Sequence, residues 1–211
     1  PIPRTLAITA FGDMDVSIID QMPAGRKEII TRWVKHQQLN LVFDWLVKEI
    51  QKGSQAYVIS PLIEESEALD LKNAIALEEE LIAYFGDRAR IALLHGKMKG
   101  EEKEAIMQAF KQGEIDLLVS TTVIEVGVDV PNATVIMIEN AERFGLATLH
   151  QLRGRVGRSE LQSYAIFVRT SNSNIAKKRL EIIGNSNDGF YIASRDLVLR
   201  GPGELFGLAQ S

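Results

Sequence analysis

Ile115-Asp116-Leu117-Leu118-Val119-Ser120 runs directly into Thr121-Thr122-Val123-Ile124-Glu125-Val126-Gly127-Val128-Asp129-Val130-Pro131. The first six residues carry their apolar side chains at consecutive rather than alternate positions, the pattern of a strand buried on both faces. Four more runs read the same way: Gln55 to Ser60, Arg90 to His95, Thr134 to Glu139 and Ser163 to Val168. Strands covered on both sides belong to parallel sheets, whose crossovers lay helices over each face. The intervening segments supply those helices. Leu39, Val42, Phe43, Leu46, Val47 and Ile50 follow i, i+3, i+4, i+7, i+8, i+11 spacing; Leu71, Ala74, Ile75, Ile82 and Phe85 keep a similar face; Ile106, Ala109 and Phe110 mark a third helix. Strand and helix alternate, so the expected fold is α/β, a three-layer sandwich built from right-handed βαβ units around a mainly parallel sheet.

The ends depart from this alternation. Residues 1–30 hold one expected strand, Thr5 to Ala10, and a stretch ending in Pro23-Ala24-Gly25-Arg26-Lys27 that reads as a connector. Residues 31–170 form the main domain. From 171 to 211 come a Ser-Asn-Ser-Asn turn, a helix expected from about Ile175 to Ile183, and the Gly/Pro-rich Arg200-Gly201-Pro202-Gly203-Glu204, which together read as a small helical or hairpin appendage.

Composition removes several classes of function. The 211 residues include no cysteine, which excludes disulfides, thiolate metal sites and cysteine nucleophiles, and three scattered histidines argue against zinc. No metal site is expected within the chain itself. No apolar run approaches the roughly 20 residues that cross a bilayer, and the N-terminus lacks the order of a signal peptide, so a cytoplasmic protein with no membrane partner is expected. The net charge of −4 argues mildly against nucleic acid, but the charges are segregated. Glu64, Glu65, Glu67, Asp70, Glu78, Glu79 and Glu80 face only Lys72 between residues 64 and 80, which reads as a solvated helix face. Between Asn140 and Thr170 the balance reverses, with Arg143, Arg153, Arg155, Arg158 and Arg169 against Glu142 and Glu160.

Ligands of open parallel sheets sit outside the carboxyl ends of the strands, and three loops there hold unusual sequence. One is Thr121 to Pro131, one is Gly96-Lys97-Met98-Lys99-Gly100, and one is Pro61-Leu62-Ile63 with its acidic continuation. A stronger signal is His150-Gln151-Leu152-Arg153-Gly154-Arg155-Val156-Gly157-Arg158. Arg155 and Arg158, three apart, would share one face of a helix, while Gly154 and Gly157 permit another surface to approach closely. Paired guanidiniums suit a polyphosphate and can stabilise charge that develops as a γ-phosphoryl group departs. A surface arginine patch or a set of carboxylate pairs would account for the spacing equally well.

Gln151-x-x-Gly154-Arg155-x-Gly157-Arg158 resembles motif VI of superfamily 2 helicases. Ser120-Thr121-Thr122 with Glu125 to Pro131 resembles their motif V, and His95-Gly96-Lys97-Met98 resembles the segment that precedes it. Within the superfamily the chain resembles the RecG family of ATP-dependent DNA helicases: Pro1-Ile2-Pro3-Arg4-Thr5-Leu6 is similar to the end of motif III, Ile138 to Gly145 precedes motif VI as in that family, and Asp196 to Glu204 resembles its translocation motif.

The resemblance implies a RecA-like second motor lobe of a translocase that remodels branched DNA such as stalled forks, in recombination and repair. It implies that Arg155 and Arg158 contact ATP held, with Mg2+, mainly by a first RecA-like lobe. Gln151, Gly127 and Asp129 would lie at the nucleotide edge, His95, Gly96, Thr121 and Thr122 at the DNA backbone, and Arg200 and Gln210 in the element that couples lobe closure to movement. Asp129 could instead be turn chemistry, His95 a structural histidine and Arg200 an ion-pair partner. The chain has no Gly-x-x-x-x-Gly-Lys-[Ser/Thr] loop, since Met98 follows Gly96-Lys97, so one lobe of a longer, monomeric protein is expected, opening partway through motif III and inactive alone. Two rivals remain, the translocase domain of a transcription-repair coupling factor and a non-enzymatic RecA-like nucleic-acid module.

Overall fold

The computed structural model describes residues 16–17, 28–61, 66–121, 130–157, 159–170, 178 and 181–183. The expected strand Thr5 to Ala10 lies outside them. Among the described residues seven strands form one sheet: β1 (Val16–Ser17), β2 (Ile30–Lys35), β3 (Gln55–Ile59), β4 (Ile91–Leu94), β5 (Leu117–Ser120), β6 (Ala133–Ile138) and β7 (Tyr164–Arg169). Their order is β1-β2-β7-β6-β3-β5-β4, and every pairing is parallel except the antiparallel edge pair of β1 with β2. All residues of β3, β5, β6 and β7 are buried, which is why their sequences run apolar without alternation.

Among the described residues the two faces are covered by α1 (Leu39–Gln51), α2 (Glu67–Phe85), α3 (Gly100–Lys111) and α4 (Leu146–Arg153). Successive strand residues feed opposite cores, as the twofold period of a strand requires. Val58, Leu117, Val119 and Ile166 pack with Phe43, Leu46, Leu81 and Phe85 of α1 and α2. Tyr57, Ile59, Leu118 and Phe167 pack with Met107, Phe110, Leu149 and Leu152 of α3 and α4. Each fully buried Leu or Phe contributes about 1.5–3 kcal/mol of transfer free energy, so two complete cores hold the three layers together.

The apolar stripe expected on α1 is buried throughout. On α2 the buried face is Asp70, Ala74, Leu77, Leu81 and Phe85, while Ile75 and Ile82 are exposed. The helix has two candidate stripes a short rotation apart, and the buried one opens on a carboxylate, Asp70, which hid it. Ser66 caps this helix, its Oγ accepting from the Leu69 N–H at 3.3 Å. β2 carries no continuous apolar run, since Thr31, Arg32 and Lys35 interrupt it, yet five of its six residues are buried. Beyond residue 170, positions 178 and 181–183 are helical, within the helix expected from about Ile175 to Ile183.

Candidate functional site

Among the described residues, those singled out by sequence fall at opposite edges of the sheet; Arg200 and Gln210 lie outside the described residues. At the carboxyl edge, β4 and β5 end side by side with Leu94 paired to Ser120. The Thr121 N–H donates to the Leu94 carbonyl at 3.3 Å, so Thr121 and His95 leave adjacent strands together. His95 then starts a tight turn: its Nδ1 accepts from the Lys97 N–H at 3.2 Å, and its carbonyl accepts from the Met98 N–H at 3.3 Å. An imidazole that accepts at Nδ1 carries its proton on Nε2 when neutral. His95 is half-buried, Gly96, Lys97 and Lys99 are exposed, and Thr121 is buried. A Cβ on Gly96 would meet nothing within 4 Å, so this turn presents open backbone to whatever approaches. Lys97 and Lys99 extend the set named from sequence, since both stand on the exposed turn in the quoted Gly96 to Gly100 segment. Thr122 lies outside the described residues.

Beside this edge, Glu139 follows β6 and is buried, with its N–H donating to the Ile59 carbonyl at 3.0 Å. Among the described residues its Oε1 has no hydrogen-bond partner. Burial, aided by the charges of Glu80 and Glu142, pushes its carboxyl up to about 7.

The arginine-bearing segment occupies the amino edge. α4 carries the chain back across the sheet and stops at Arg153, with Gly154 as its C-cap. The Arg155 and Val156 N–H groups close a turn on the carbonyls of Leu152 and Arg153. Gly157 then takes a φ of +79°, a conformation that ends any helical path. The expected geometry, two arginines on one helix face, is therefore corrected: Arg155 stands in a turn beyond the helix, and Arg158 lies outside the described residues.

This turn is seated against the starts of three strands. The Gly157 N–H donates to Ser163 Oγ at 3.0 Å, just ahead of β7. A Cβ on Gly157 would lie 2.7 Å from Ile29 Cγ1, just ahead of β2. Ser159 Oγ donates to the Pro131 carbonyl at 3.2 Å, just ahead of β6. Arg155 is half-buried and Gln151 exposed. Gly127 and Asp129 lie outside the described residues.

The arginine-rich stretch does not form one patch. Arg153 and Arg169 are buried, Arg169 stacks over the Trp33 ring at 4.7 Å, and Arg143 is exposed. Arg153 turns inward, donating from Nη1 to Thr31 Oγ1 at 3.2 Å and to the Ile183 carbonyl at 2.7 Å, and from Nη2 to His150 Nδ1 at 2.8 Å. Burial lowers its pKa to about 10, so it stays protonated at neutral pH. Sequence reading missed this role, because Arg153 and Arg155 look alike in the string.

Chemically, the held backbone of the amino-edge turn presents the half-buried Arg155, whose guanidinium is of the kind that fits polyphosphate oxygens. Among the described residues no group of three or more His, Cys, Asp or Glu could hold a metal ion. No helix among them is long and apolar enough to cross a membrane.

Residues 37–160 match the family model described as the helicase conserved C-terminal domain. The chain belongs to that family. This helicase domain is 66% identical over all 211 residues to the ATP-dependent DNA helicase RecG of Streptococcus pneumoniae serotype 4, and 53% identical to that of Bacillus subtilis strain 168. It spans 31% of the length of each of those relatives. Among solved structures it resembles RecG bound to a three-way DNA junction, with a TM-score of 0.73 and 45% identity, covering 97% of this chain and 27% of that one. The second domain of the DEAD-box helicase Mss116p, bound to an RNA duplex, shares the fold at a TM-score of 0.56 and 20% identity, covering 79% of this chain and 67% of that one. The RecA-like α/β architecture expected from the motifs is thus the one observed.

Proposed function

We propose that this chain is the second motor lobe of an ATP-dependent DNA helicase that remodels branched duplex DNA in the cytoplasm, during recombination and repair. The observation that carries the reading is the separation of two surfaces across one rigid sheet, an open cationic turn at the carboxyl edge and a pinned arginine turn at the amino edge. A motor needs such a separation, because the nucleotide must be felt at one place and the track held at another.

In this reading Arg155 and Arg158 approach the triphosphate held with Mg2+ by a first RecA-like lobe of the same polypeptide. Gln151, Gly127 and Asp129 line the nucleotide edge. When bound, the magnesium nucleotide supplies the phosphoryl group, and the guanidiniums of this lobe stabilise charge that develops on it. His95, Gly96, Thr121 and Thr122 meet DNA phosphates, where N–H and hydroxyl groups position a backbone without reading bases, and Lys97 and Lys99 add charge. Residues 1–30 connect the lobes, and 171–211, with Arg200 and Gln210, turn lobe closure into movement by a monomer. The three-way junction bound by the similar RecG structure supports a branched substrate.

The test is made in the polypeptide that joins both lobes. Arg158→Ala abolishes DNA-stimulated ATP hydrolysis while DNA binding persists, and unchanged turnover overturns the assignment. ATPase rates with no DNA, linear duplex and a fork, at fixed salt, test the substrate. Stronger stimulation by the fork supports it, and equal stimulation by plain duplex refutes it.

A further inference from the structure

Arg153 ends α4 two residues before Arg155, yet its guanidinium points away from solvent. Among the described residues it reaches acceptors on three pieces of chain. Thr31 Oγ1 belongs to β2, the Ile183 carbonyl belongs to the helical residues 181–183, and His150 Nδ1 lies one turn earlier on α4 itself. A guanidinium has only donors, so His150 must accept at Nδ1, which fixes its tautomer and its ring orientation. Two further supports of the same turn come from the same side of the lobe, the Ile29 side chain against Gly157 and Ser163 Oγ beneath the Gly157 N–H.

Thr31 and Ile183 both lie outside the 37–160 segment matched by the family model. The shared domain therefore receives supports here from elements that flank it. A charged fork held by several acceptors of fixed geometry is directional, since a small shift lengthens several bonds together.

We infer that Arg153 is a positioning residue: it fixes the Arg155 turn against β2 and the residue 183 backbone, so that the guanidinium of Arg155 meets the transferring phosphoryl group in register. The inference rests on the proposed role of Arg155. Lysine at 153 keeps the charge but lacks the fork, and valine at 31 keeps the shape of threonine but lacks the acceptor.

The experiment uses the two-lobe protein with duplex DNA present and measures affinity for ADP-aluminium fluoride, a mimic of the transferring phosphate, relative to affinity for ADP. A smaller folded fraction scales both affinities alike, so the ratio does not respond to stability alone. Arg155→Ala lowers the ratio about tenfold or more if Arg155 touches the transferring group. Given that loss, Arg153→Lys lowers it about tenfold and Thr31→Val about threefold. Should Arg153→Lys fail to fold, Thr31→Val decides. A ratio within twofold of the parent in the Arg153 and Thr31 variants, beside a clear loss in Arg155→Ala, overturns the positioning role. An unchanged ratio in Arg155→Ala overturns the proposed function first and this inference with it.

Discussion

Alanine at position 157 tests the seating of the arginine turn with one methyl group. Gly157 has a φ of +79°, and an added Cβ would lie 2.7 Å from Ile29 Cγ1 and 2.9 Å from Ile29 Cδ1. Left-handed backbone costs a non-glycine residue about 1–2 kcal/mol. Forcing a methyl into an occupied site costs about 1–3 kcal/mol more. Gly157→Ala therefore destabilises the domain by about 2–5 kcal/mol, a large share of the roughly 5–15 kcal/mol typical of domains. The two contributions separate in a double-mutant cycle. Ile29→Ala alone costs about 2–5 kcal/mol through its cavity, but it also removes the atoms that clash. The double variant is then more stable than the sum of the singles by about 1–3 kcal/mol, the steric share, while the backbone share remains. Urea denaturation of the four chains, followed by tryptophan fluorescence, gives the midpoints needed. Additivity within about 0.5 kcal/mol, or a Gly157→Ala midpoint equal to the parent's, refutes the packing described.

Two further substitutions probe the scaffold. Glu139 favours its protonated form when folded, so that stabilisation is complete below the ordinary carboxyl value of 4.5 and is lost as pH rises through about 7. The free energy of unfolding of the parent thus falls by up to about 3 kcal/mol across that window. Glu139→Gln removes the fall, which denaturation midpoints at pH 5 and pH 8 detect; equal pH dependence in both chains contradicts the burial argument. Gln55 is buried, and its Nε2 donates to the Phe110 carbonyl at 2.6 Å and the Ile115 carbonyl at 2.8 Å, tying the end of α3 to the entry of β5. Gln55→Leu removes both bonds, leaving the Phe110 carbonyl its Gly113 N–H, and costs about 1–3 kcal/mol by chemical denaturation, with an unshifted midpoint as the disproof.

The sheet was legible because burial on both faces leaves a local mark. Consecutive apolar residues in β3, β5, β6 and β7 announce it without reference to distant parts of the chain. β2 leaves no such mark. Arg32 is wholly buried within it, and only its surroundings in the folded lobe make an arginine acceptable there. The arginine string was half legible. Gly157 does permit a close approach, by Ile29, as its missing side chain suggests, but its positive φ also breaks the helix on which Arg155 and Arg158 were to share a face. Arg153 was not legible at all. Its partners sit at 31 and 183, far along the chain in both directions, and nothing in its neighbours distinguishes it from an arginine that faces solvent.

The parallel partner of β2 is β7, with Ile30 beside Tyr164. On a ribosome adding about 5–20 residues each second, β2 emerges roughly 7–27 s before the strand that covers its inner side. Until then its backbone offers open hydrogen-bonding groups to any other extended chain nearby. The buried charge of Arg32 and the terminal Lys35 make that waiting strand a poor template for aggregation, since a stray partner would have to desolvate a guanidinium with none of the native neighbours present. The same arginine that obscures β2 to a reader protects it while the rest of the lobe is still being made.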